Sequence, residues 1–227
     1  MKKQPYFSKN ERLLWLFSAL ALLLSYAVFD RGNPLRLCSA LLGVTSLLFN
    51  AKGHPFGQLL MIVFALLYGY VSYGFCYYGE MITYVGMTAP MALFALISWL
   101  KNPYQGNKSE VAVQRISRKE WLFACILTAA VTALFYFILK ALHTENLPMS
   151  TVSVATSFLA VYLTFRRSAY FALAYAANDL VLIVLWIYAS VADPAYSSVA
   201  VCFLTFLIND LYGFFSWKQR ERKQNEL

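Results

Sequence analysis

Charged residues are scarce in this sequence, and their scarcity excludes most soluble proteins. Only 13% of the 227 residues are charged, whereas 60% are hydrophobic. A soluble domain is typically about 25% charged and about 45–50% apolar. The formal net charge of +8 does not indicate nucleic acid, because the basic residues lie between long apolar runs, as in membrane proteins. The composition therefore predicts an integral membrane protein that binds no nucleic acid.

The sequence also lacks the motifs that catalysis and cofactor binding require. Its four cysteines, Cys38, Cys76, Cys125 and Cys202, are isolated within apolar runs. Because no CxxC or His/Cys spacing is present, we expect no metal site. There is no P-loop, no GxGxxG after a strand, no HExxH and no nucleophile elbow. We therefore expect no catalytic residues, no cofactor and no ATP hydrolysis by this chain.

Eight apolar segments are long enough to cross a bilayer, or nearly so, which takes about 20 residues each. Their continuous apolar runs favour helices, because the strands of a membrane barrel alternate in polarity. The sequence therefore predicts an all-α integral membrane protein. The eight helices are predicted near residues 12–29, 34–51, 55–77, 80–100, 120–142, 147–165, 168–190 and 194–217.

The distribution of basic residues predicts the orientation. If the eight helices are threaded in order, sixteen of the nineteen Lys and Arg residues fall on the side of the two termini. The other side retains only Arg31, Arg36 and Lys140. Cytoplasmic loops of membrane proteins carry an excess of Lys and Arg. We therefore expect both termini in the cytoplasm.

A shift of 118 residues brings the two halves of the chain into a weak register. Residues 93–99, LFALISW, then fall on residues 211–217, LYGFFSW, and Tyr68 falls on Trp186. This register predicts two related units of three helices with one helix between them. The alternative is that two aromatic-rich membrane helices align by chance.

The predicted architecture is 3+1+3 plus one helix. Because a single helix separates the two triple-helix units, both units run the same way and are parallel repeats. Such repeats place the substrate site at their interface. The predicted parts are an accessory N-terminal helix at 12–29, a first repeat at 34–100, a linking helix at 120–142, a second repeat at 147–217 and a basic cytoplasmic tail at 218–227.

Two polar dipeptides lie deep inside the last two apolar runs, Asn178-Asp179 and Asn209-Asp210. A carboxylate within a membrane helix is costly, so it is a functional-site hypothesis by default. Aromatic and amide side chains share the faces of these helices with the two carboxylates. The predicted substrate-binding residues are Asn178, Asp179, Trp186, Asn209, Asp210, Tyr175, Tyr212, Tyr68, Met87 and Trp217.

Such a pocket suits a cationic heteroaromatic ligand, since the ring can stack and the cation can meet a π face. The alternative is that the Asp–Asn pairs form an interhelical clamp without a ligand. Pro90 is expected to kink the fourth helix, because its ring removes a backbone donor and clashes with the preceding turn. Glu80 is expected at the outer membrane interface.

Three stretches of the chain resemble the PnuC family of vitamin transporters. They are FNAKGHPFGQLL at 49–60, YYGEMITYVGM at 77–87, and the last two helices with Asn178 and the basic segment WKQRERK at 217–223. The similarity covers about residues 30–223. One departure concerns a WxxW motif that nicotinamide riboside members often have at the end of the first triple-helix unit. Only its second Trp, Trp99, is present here.

The resemblance implies uptake of a vitamin-type precursor, most often nicotinamide riboside, across a bacterial cytoplasmic membrane. It implies ATP-independent facilitated diffusion, with intracellular trapping by a separate kinase that does not bind the transporter. It also implies a 3+1+3 helix core and a homotrimer.

Several functions stay open at this point. Relatives in the same superfamily are assigned to thiamine, riboflavin or deoxynucleosides. A different class would be a vitamin-binding membrane component of an ATP-driven importer, although two complete repeats with their own polar pairs disfavour it. A membrane enzyme is disfavoured by the missing nucleophile–base pair, and a scaffold by the intramembrane carboxylates.

The predicted topology can be tested by cysteine-accessibility labelling at Gln105, in the longest hydrophilic loop. We expect a cysteine there to react with a membrane-impermeant reagent only after the cells are opened. Labelling of Gln105→Cys in intact cells would contradict a cytoplasmic location of this loop.

Overall fold

The computed structural model describes residues 6–32, 34–74, 77–144 and 146–226. Within these residues the chain is almost entirely helical, and eight helices are long and apolar enough to cross a membrane. This confirms the predicted fold class. The helices are α1 (Lys9–Phe29), α2 (Pro34–Ala51), α3 (Phe56–Gly74), α4 (Tyr78–Lys101), α5 (Arg118–Ala141), α6 (Leu147–Phe165), α7 (Phe171–Ala192) and α8 (Ser197–Asn225).

Most boundaries agree with the sequence prediction within three residues, and the end of α8 differs by more. Helix α3 ends at Gly74 rather than at residue 77, and residues 75 and 76 lie outside the described part. Helix α8 continues to Asn225, through the segment predicted as a tail. Ion pairs support this extension, since Lys218 contacts Glu221 at 2.6 Å and Arg220 contacts Glu110 at 2.7 Å.

Helix α4 is irregular in its middle. A π-helical turn spans Thr83–Thr88, and an α-helix resumes at Ala89, with Pro90 in its first turn. Proline lacks the backbone N–H of a regular helix interior, so a π-helical turn directly before it is a common way to accommodate it. Pro90 itself faces outward, whereas Tyr84, Met87 and Thr88 are buried by the turn.

The turns that join α2 to α3 and α6 to α7 have the same backbone conformation. Gly53 at φ +66° donates to the carbonyl of Asn50 at 2.9 Å, and Arg167 at φ +56° donates to that of Thr164 at 3.0 Å. The loop between α4 and α5 crosses both turns and contains a hairpin of β1 (Pro103–Tyr104) and β2 (Asn107–Val111). Its backbone N–H groups bond the carbonyls of Gly53 and Arg167.

The first of these turns explains the FNAKGHPFGQLL stretch. Gln58 donates to the side-chain oxygen of Asn50 at 2.8 Å, and Ser46 donates to the carbonyl of Gly57 at 2.8 Å. A Cβ atom at Gly57 would overlap Asn50, so glycine permits this close approach of α2 and α3. The motif residues of the turn therefore serve interhelical packing.

A Ser-Trp dipeptide ends the apolar part of α4, and another lies at the matching place in α8. Ser98 donates to the carbonyl of Phe165 at 2.9 Å, and Trp99 Nε1 donates to that of Thr164 at 2.9 Å. The second pair is Ser216-Trp217, which bonds the carbonyls of Ala51 and Asn50 at 2.8 and 2.7 Å. Each dipeptide therefore donates two hydrogen bonds to the last two carbonyls of a helix in the other half of the chain. We call these contacts the Ser-Trp clamps.

These matched contacts support the predicted internal repeat. Trp99 and Trp217 are 118 residues apart, which is the predicted shift. The equivalent turn residues, Gly53 and Arg167, are 114 residues apart. The segment from the turn to the Trp is therefore four residues longer in the second half, which is about one helical turn. The symmetry of the two triple-helix units stays a prediction.

The Ser-Trp clamps predict a measurable contribution to stability. Trp99→Phe and Trp217→Phe retain an aromatic ring but remove the indole donor. The carbonyls of Thr164 and Asn50 then keep only their turn hydrogen bonds from Arg167 and Gly53, and the loss of one such bond costs about 0.5–1.5 kcal/mol. We expect each variant to melt at a lower temperature than the parent in detergent. Trp121→Phe is the control, because the structure gives its indole a ring contact with Tyr170 and no hydrogen bond within the described residues. Equal melting temperatures for all three variants would contradict the clamps.

Candidate substrate cavity

A small closed cavity lies at the centre of the helix bundle. It offers about 20 Å³ that water could occupy, which is roughly the space of one water molecule. A vitamin would need the cavity to widen. Six helices, α2, α3, α4, α6, α7 and α8, supply its lining. The lining residues are Leu47, Met61, Phe64, Tyr84, Thr88, Ser157, Tyr175, Asn178, Asp179, Phe203, Phe206 and Asp210.

The structure brings four of the ten predicted site residues together around this cavity: Tyr175, Asn178, Asp179 and Asp210. They lie on one stripe of α7 and on the facing side of α8. Residues spaced three or four apart share one face of a helix, which explains why Tyr175 accompanies the two polar residues of α7. The prediction that substrate contacts these residues remains open.

Asn178 is fixed by hydroxyl groups of α6. Its side-chain oxygen accepts hydrogen bonds from Thr156 at 2.8 Å, Ser157 at 2.9 Å and Ser153 at 3.4 Å. A carbonyl oxygen has two lone pairs, so these donors fill its capacity. The amide nitrogen of Asn178 is the part of the side chain that remains available to a ligand as a donor.

The carboxyl groups of Asp179 and Asp210 face the cavity side by side. Both side chains line the same water-sized cavity, and the Oδ2 atom of Asp179 has no hydrogen-bond partner among the described residues. The two residues are only 3% and 4% exposed, so both carboxyl groups are withdrawn from bulk water. An aromatic and apolar wall from Phe64, Tyr84 and Phe206 completes the cavity around them.

Asn209 and Tyr212 turn away from the cavity, contrary to the expectation that both Asn–Asp pairs face it. Asn209 donates to Ser18 of α1 at 2.9 Å and to the carbonyl of Thr205 at 2.8 Å. Tyr212 donates to Glu11 of α1 at 3.2 Å. These residues anchor the accessory helix, because neighbouring positions on α8 point to different sides of the helix.

Tyr68 and Trp186 lie beyond one end of the cavity, in an aromatic layer that we call the outer layer. Trp186 contacts Tyr68, Tyr77 and Tyr196, with ring centroids 6.4, 5.0 and 5.6 Å apart. Tyr68 also packs on Tyr84 at 4.4 Å. The outer layer closes the cavity on the membrane face opposite the chain ends.

Met87 and Trp217 lie toward the face that carries the chain ends, which we call the terminal face. Trp217 packs on Trp99 at 5.3 Å and on Phe171 at 4.8 Å, and these three rings form the inner layer. Met87 is buried in the same cluster. The two aromatic layers therefore close the cavity from both sides.

A second cavity lies beside the outer layer, between α1, α2, α3 and α8. It offers about 40 Å³ that water could occupy, and Phe64 lines both this cavity and the central one. Asp30 and Arg36 form an ion pair at 2.8 Å on its wall. Burial raises the pKa of the Asp30 carboxyl, while the guanidinium of Arg36 opposes the shift. Phe64 therefore lies between this second cavity and the central cavity.

Glu80 lies in the first turn of α4, at the end of the helix where the sequence predicts the outer membrane interface. Its side chain is buried within the protein, since it is only 3% exposed, and its Oε2 has no hydrogen-bond partner among the described residues. Glu80 does not line the central cavity.

Sequence reasoning missed the contribution of α3 and α6. Phe64 and Met61 look like ordinary apolar residues in a membrane helix, so nothing in the sequence marks them. Ser157 did carry a signal, since α6 has five hydroxyl residues between positions 150 and 157. Hydroxyl groups on one face of a membrane helix commonly bond a neighbouring helix. Among the described residues, no group of three His, Cys, Asp or Glu side chains could hold a metal ion.

Comparisons with known proteins agree with this architecture. The model of the family described as nicotinamide mononucleotide transporter matches residues 33–219. The nicotinamide riboside transporter PnuC of Neisseria mucosa is 25% identical over 217 residues, which cover 93% of this chain and 82% of that protein. PnuC of Haemophilus influenzae is 23% identical over 226 residues, covering 98% and 97%.

A solved structure has the same fold. The crystal structure of the vitamin B3 transporter PnuC superimposes with a TM-score of 0.85, at 22% identity, over 96% of this chain and 94% of that one. The family is one of membrane transporters, which confirms the expectations of a transport protein and of no enzyme activity. The match over 33–219 spans all helices but α1, and on this evidence the chain belongs to the nicotinamide mononucleotide transporter family, whose named members here are PnuC proteins.

Proposed function

We propose that this chain is a membrane facilitator for the uptake of a cationic vitamin-type precursor, and that nicotinamide riboside is its substrate. The observation that carries the proposal is the closed central cavity, where Asp179 and Asp210 face the rings of Phe64 and Tyr84. A cavity with acidic groups and flat aromatic walls favours a positively charged aromatic ring.

The chemistry of nicotinamide riboside fits these groups. Its pyridinium ring is a flat cation, which can stack on Phe64 or Tyr84 and meet the carboxyl groups. Its ribose hydroxyls and carboxamide oxygen can accept from the Asn178 amide. The names of the two relatives and the description of the family support the same class of substrate.

The proposed transport is facilitated diffusion without ATP. The sequence has no nucleotide-binding motif, and an aromatic layer closes each side of the cavity. Opening one layer at a time would expose the cavity to each face in turn, as repeat transporters do. A separate cytoplasmic kinase would trap the product without binding the transporter. We further propose parallel 3+1+3 repeats, cytoplasmic termini in a bacterial cytoplasmic membrane, and a homotrimer.

Thiamine is the alternative substrate, since it is also a cationic aromatic compound. The observation that favours it is Leu96, which occupies the position where nicotinamide riboside members often have the first Trp of WxxW. Riboflavin and deoxynucleosides are less suited, because neither presents a cation to the carboxyl groups. A role as the membrane component of an ATP-driven importer is a further alternative, and stable copurification with an ATPase would support it.

Transport by purified protein in proteoliposomes tests the mode of uptake. We expect labelled nicotinamide riboside to equilibrate across the membrane without ATP or an ion gradient. Liposomes without protein give the background rate. Accumulation above the external concentration that a protonophore abolishes would contradict facilitated diffusion. Competition by unlabelled thiamine, riboflavin and deoxynucleosides ranks the alternative substrates.

The two asparagines of the Asn–Asp pairs offer a matched test of the site. Asn178→Ala removes a donor from the cavity and should weaken substrate binding by about 1–2 kcal/mol, or roughly tenfold. Asn209→Ala removes the same group from a buried helix contact, so it should lower thermal stability and leave affinity unchanged. Calorimetry on both purified variants measures the difference. Equal affinities for Asn178→Ala and the parent protein would place the substrate elsewhere.

A further inference from the structure

Asp179 and Asp210 present two carboxyl groups to one cavity with room for about one water molecule. An ionised carboxylate only accepts hydrogen bonds, so the two groups can bond each other, directly or through that water, only if they hold a proton. Like charges at such a distance, withdrawn from water, cannot both ionise without a large cost. Their exposures of 3% and 4% make bulk water a poor source of compensation.

Among the described residues, no Lys, Arg or His side chain acts on the pair as a compensating positive charge. The titratable groups near it are Tyr84 of α4, Tyr175 of α7 and Cys202 of α8, all acids, and Glu80 of α4 lies near Tyr84. Helices α2 and α3 add Leu47, Met61 and Phe64, and α6 adds Ser157. Within the described helices, every Lys and Arg lies within eight residues of a helix end, and Lys218 of α8 is eight residues from Asp210.

We propose that Asp179 and Asp210 act together as one monovalent anion, in which two carboxyl groups share one proton and bind a single positive charge. The proton stays between the two groups when the cation enters, so the occupied cavity is neutral overall. The identity of the ring rests on the proposed function, whereas the sharing of the proton does not. The pair would therefore determine the class of substrate as a flat monocation.

This arrangement explains how the cavity separates vitamins of similar size. A pyridinium or thiazolium ring brings one positive charge, which the pair matches. A neutral ring leaves the remaining negative charge without a partner in a water-poor cavity, which is unfavourable. The reduced form of nicotinamide riboside, with a dihydropyridine ring, is a neutral analogue of nearly the same shape and is thus a suitable probe.

Asparagine substitutions distinguish a shared charge from two separate charges. Asparagine has the shape of a protonated Asp and can donate in its place, so Asp179→Asn or Asp210→Asn alone leaves one negative charge. We expect each single variant to bind nicotinamide riboside less than about threefold more weakly, and the double variant at least about thirtyfold more weakly, because neighbouring sites with one function are not additive. The double variant should also lose the preference for the oxidised over the reduced riboside.

Two binding results would overturn the proposal. If each single substitution weakens binding more than about tenfold and the effects multiply, the carboxyl groups act as two independent charges. If the double variant binds both forms as the parent does, the pair is only a structural contact between α7 and α8. Calorimetry on full-length protein in detergent measures the parent and the three variants, with both ribosides as probes.

Infrared spectroscopy of the empty protein tests the shared proton without any ligand. A protonated carboxyl has a C=O stretch that ionised carboxylates lack. The spectra are compared in a Glu80→Gln background, because Glu80 is also buried but lies outside the cavity lining. We expect a protonated-carboxyl band near neutral pH that either single Asn substitution removes.

The two proposals can fail separately. Absence of that band would refute the shared proton, whichever vitamin binds. Presence of the band in a protein that binds neither nicotinamide riboside nor thiamine would support the shared proton and refute the proposed function.

Discussion

A polar group inside a bilayer has to find its partner within the protein, and this constraint organises the whole molecule. Unpaired backbone groups cost several kcal/mol in hydrocarbon, so helix ends are critical points. The Ser-Trp clamps meet the constraint where α2 and α6 end, since each clamp supplies two donors to the last two carbonyls of one helix. Because each clamp comes from the other half of the chain, satisfying the backbone also joins the two halves.

The same constraint separates structural polar groups from those available to a ligand. The oxygen of Asn178 is saturated by α6 hydroxyls, and Asn209 is bonded to Ser18. The carboxyl groups of Asp179 and Asp210 have mainly each other. A polar pair that the protein leaves incompletely compensated, inside a cavity with aromatic walls, is what a binding site for a cation requires.

The sequence predicted the helices well because long apolar runs have few alternatives in a membrane. It also indicated that Asn178, Asp179 and Asp210, which line the central cavity, are unusual, since polar residues in such runs are rare. It did not distinguish Asn209 from Asn178, because the two dipeptides are identical and only their rotation about each helix decides which partner they meet. The position of α1, which receives Asn209 and Tyr212, could not be derived from periodicity. The π-helical turn of α4 buries Tyr84, Met87 and Thr88, and its local sequence gave only the proline as a signal.

The two closures of the cavity differ in chemistry, and this difference bears on how the cavity opens. On the terminal face, the inner layer is backed by four hydrogen bonds of the clamps and by the hairpin loop that bonds Gly53 and Arg167. On the opposite face, ring contacts between Trp186, Tyr68 and Tyr77 form the closure. Ring contacts can slide with a gradual loss of energy, whereas hydrogen bonds to helix-end carbonyls are lost outright unless water replaces them. Opening toward the terminal face therefore requires water to reach the ends of α2 and α6, which are the parts of those helices nearest to the membrane surface.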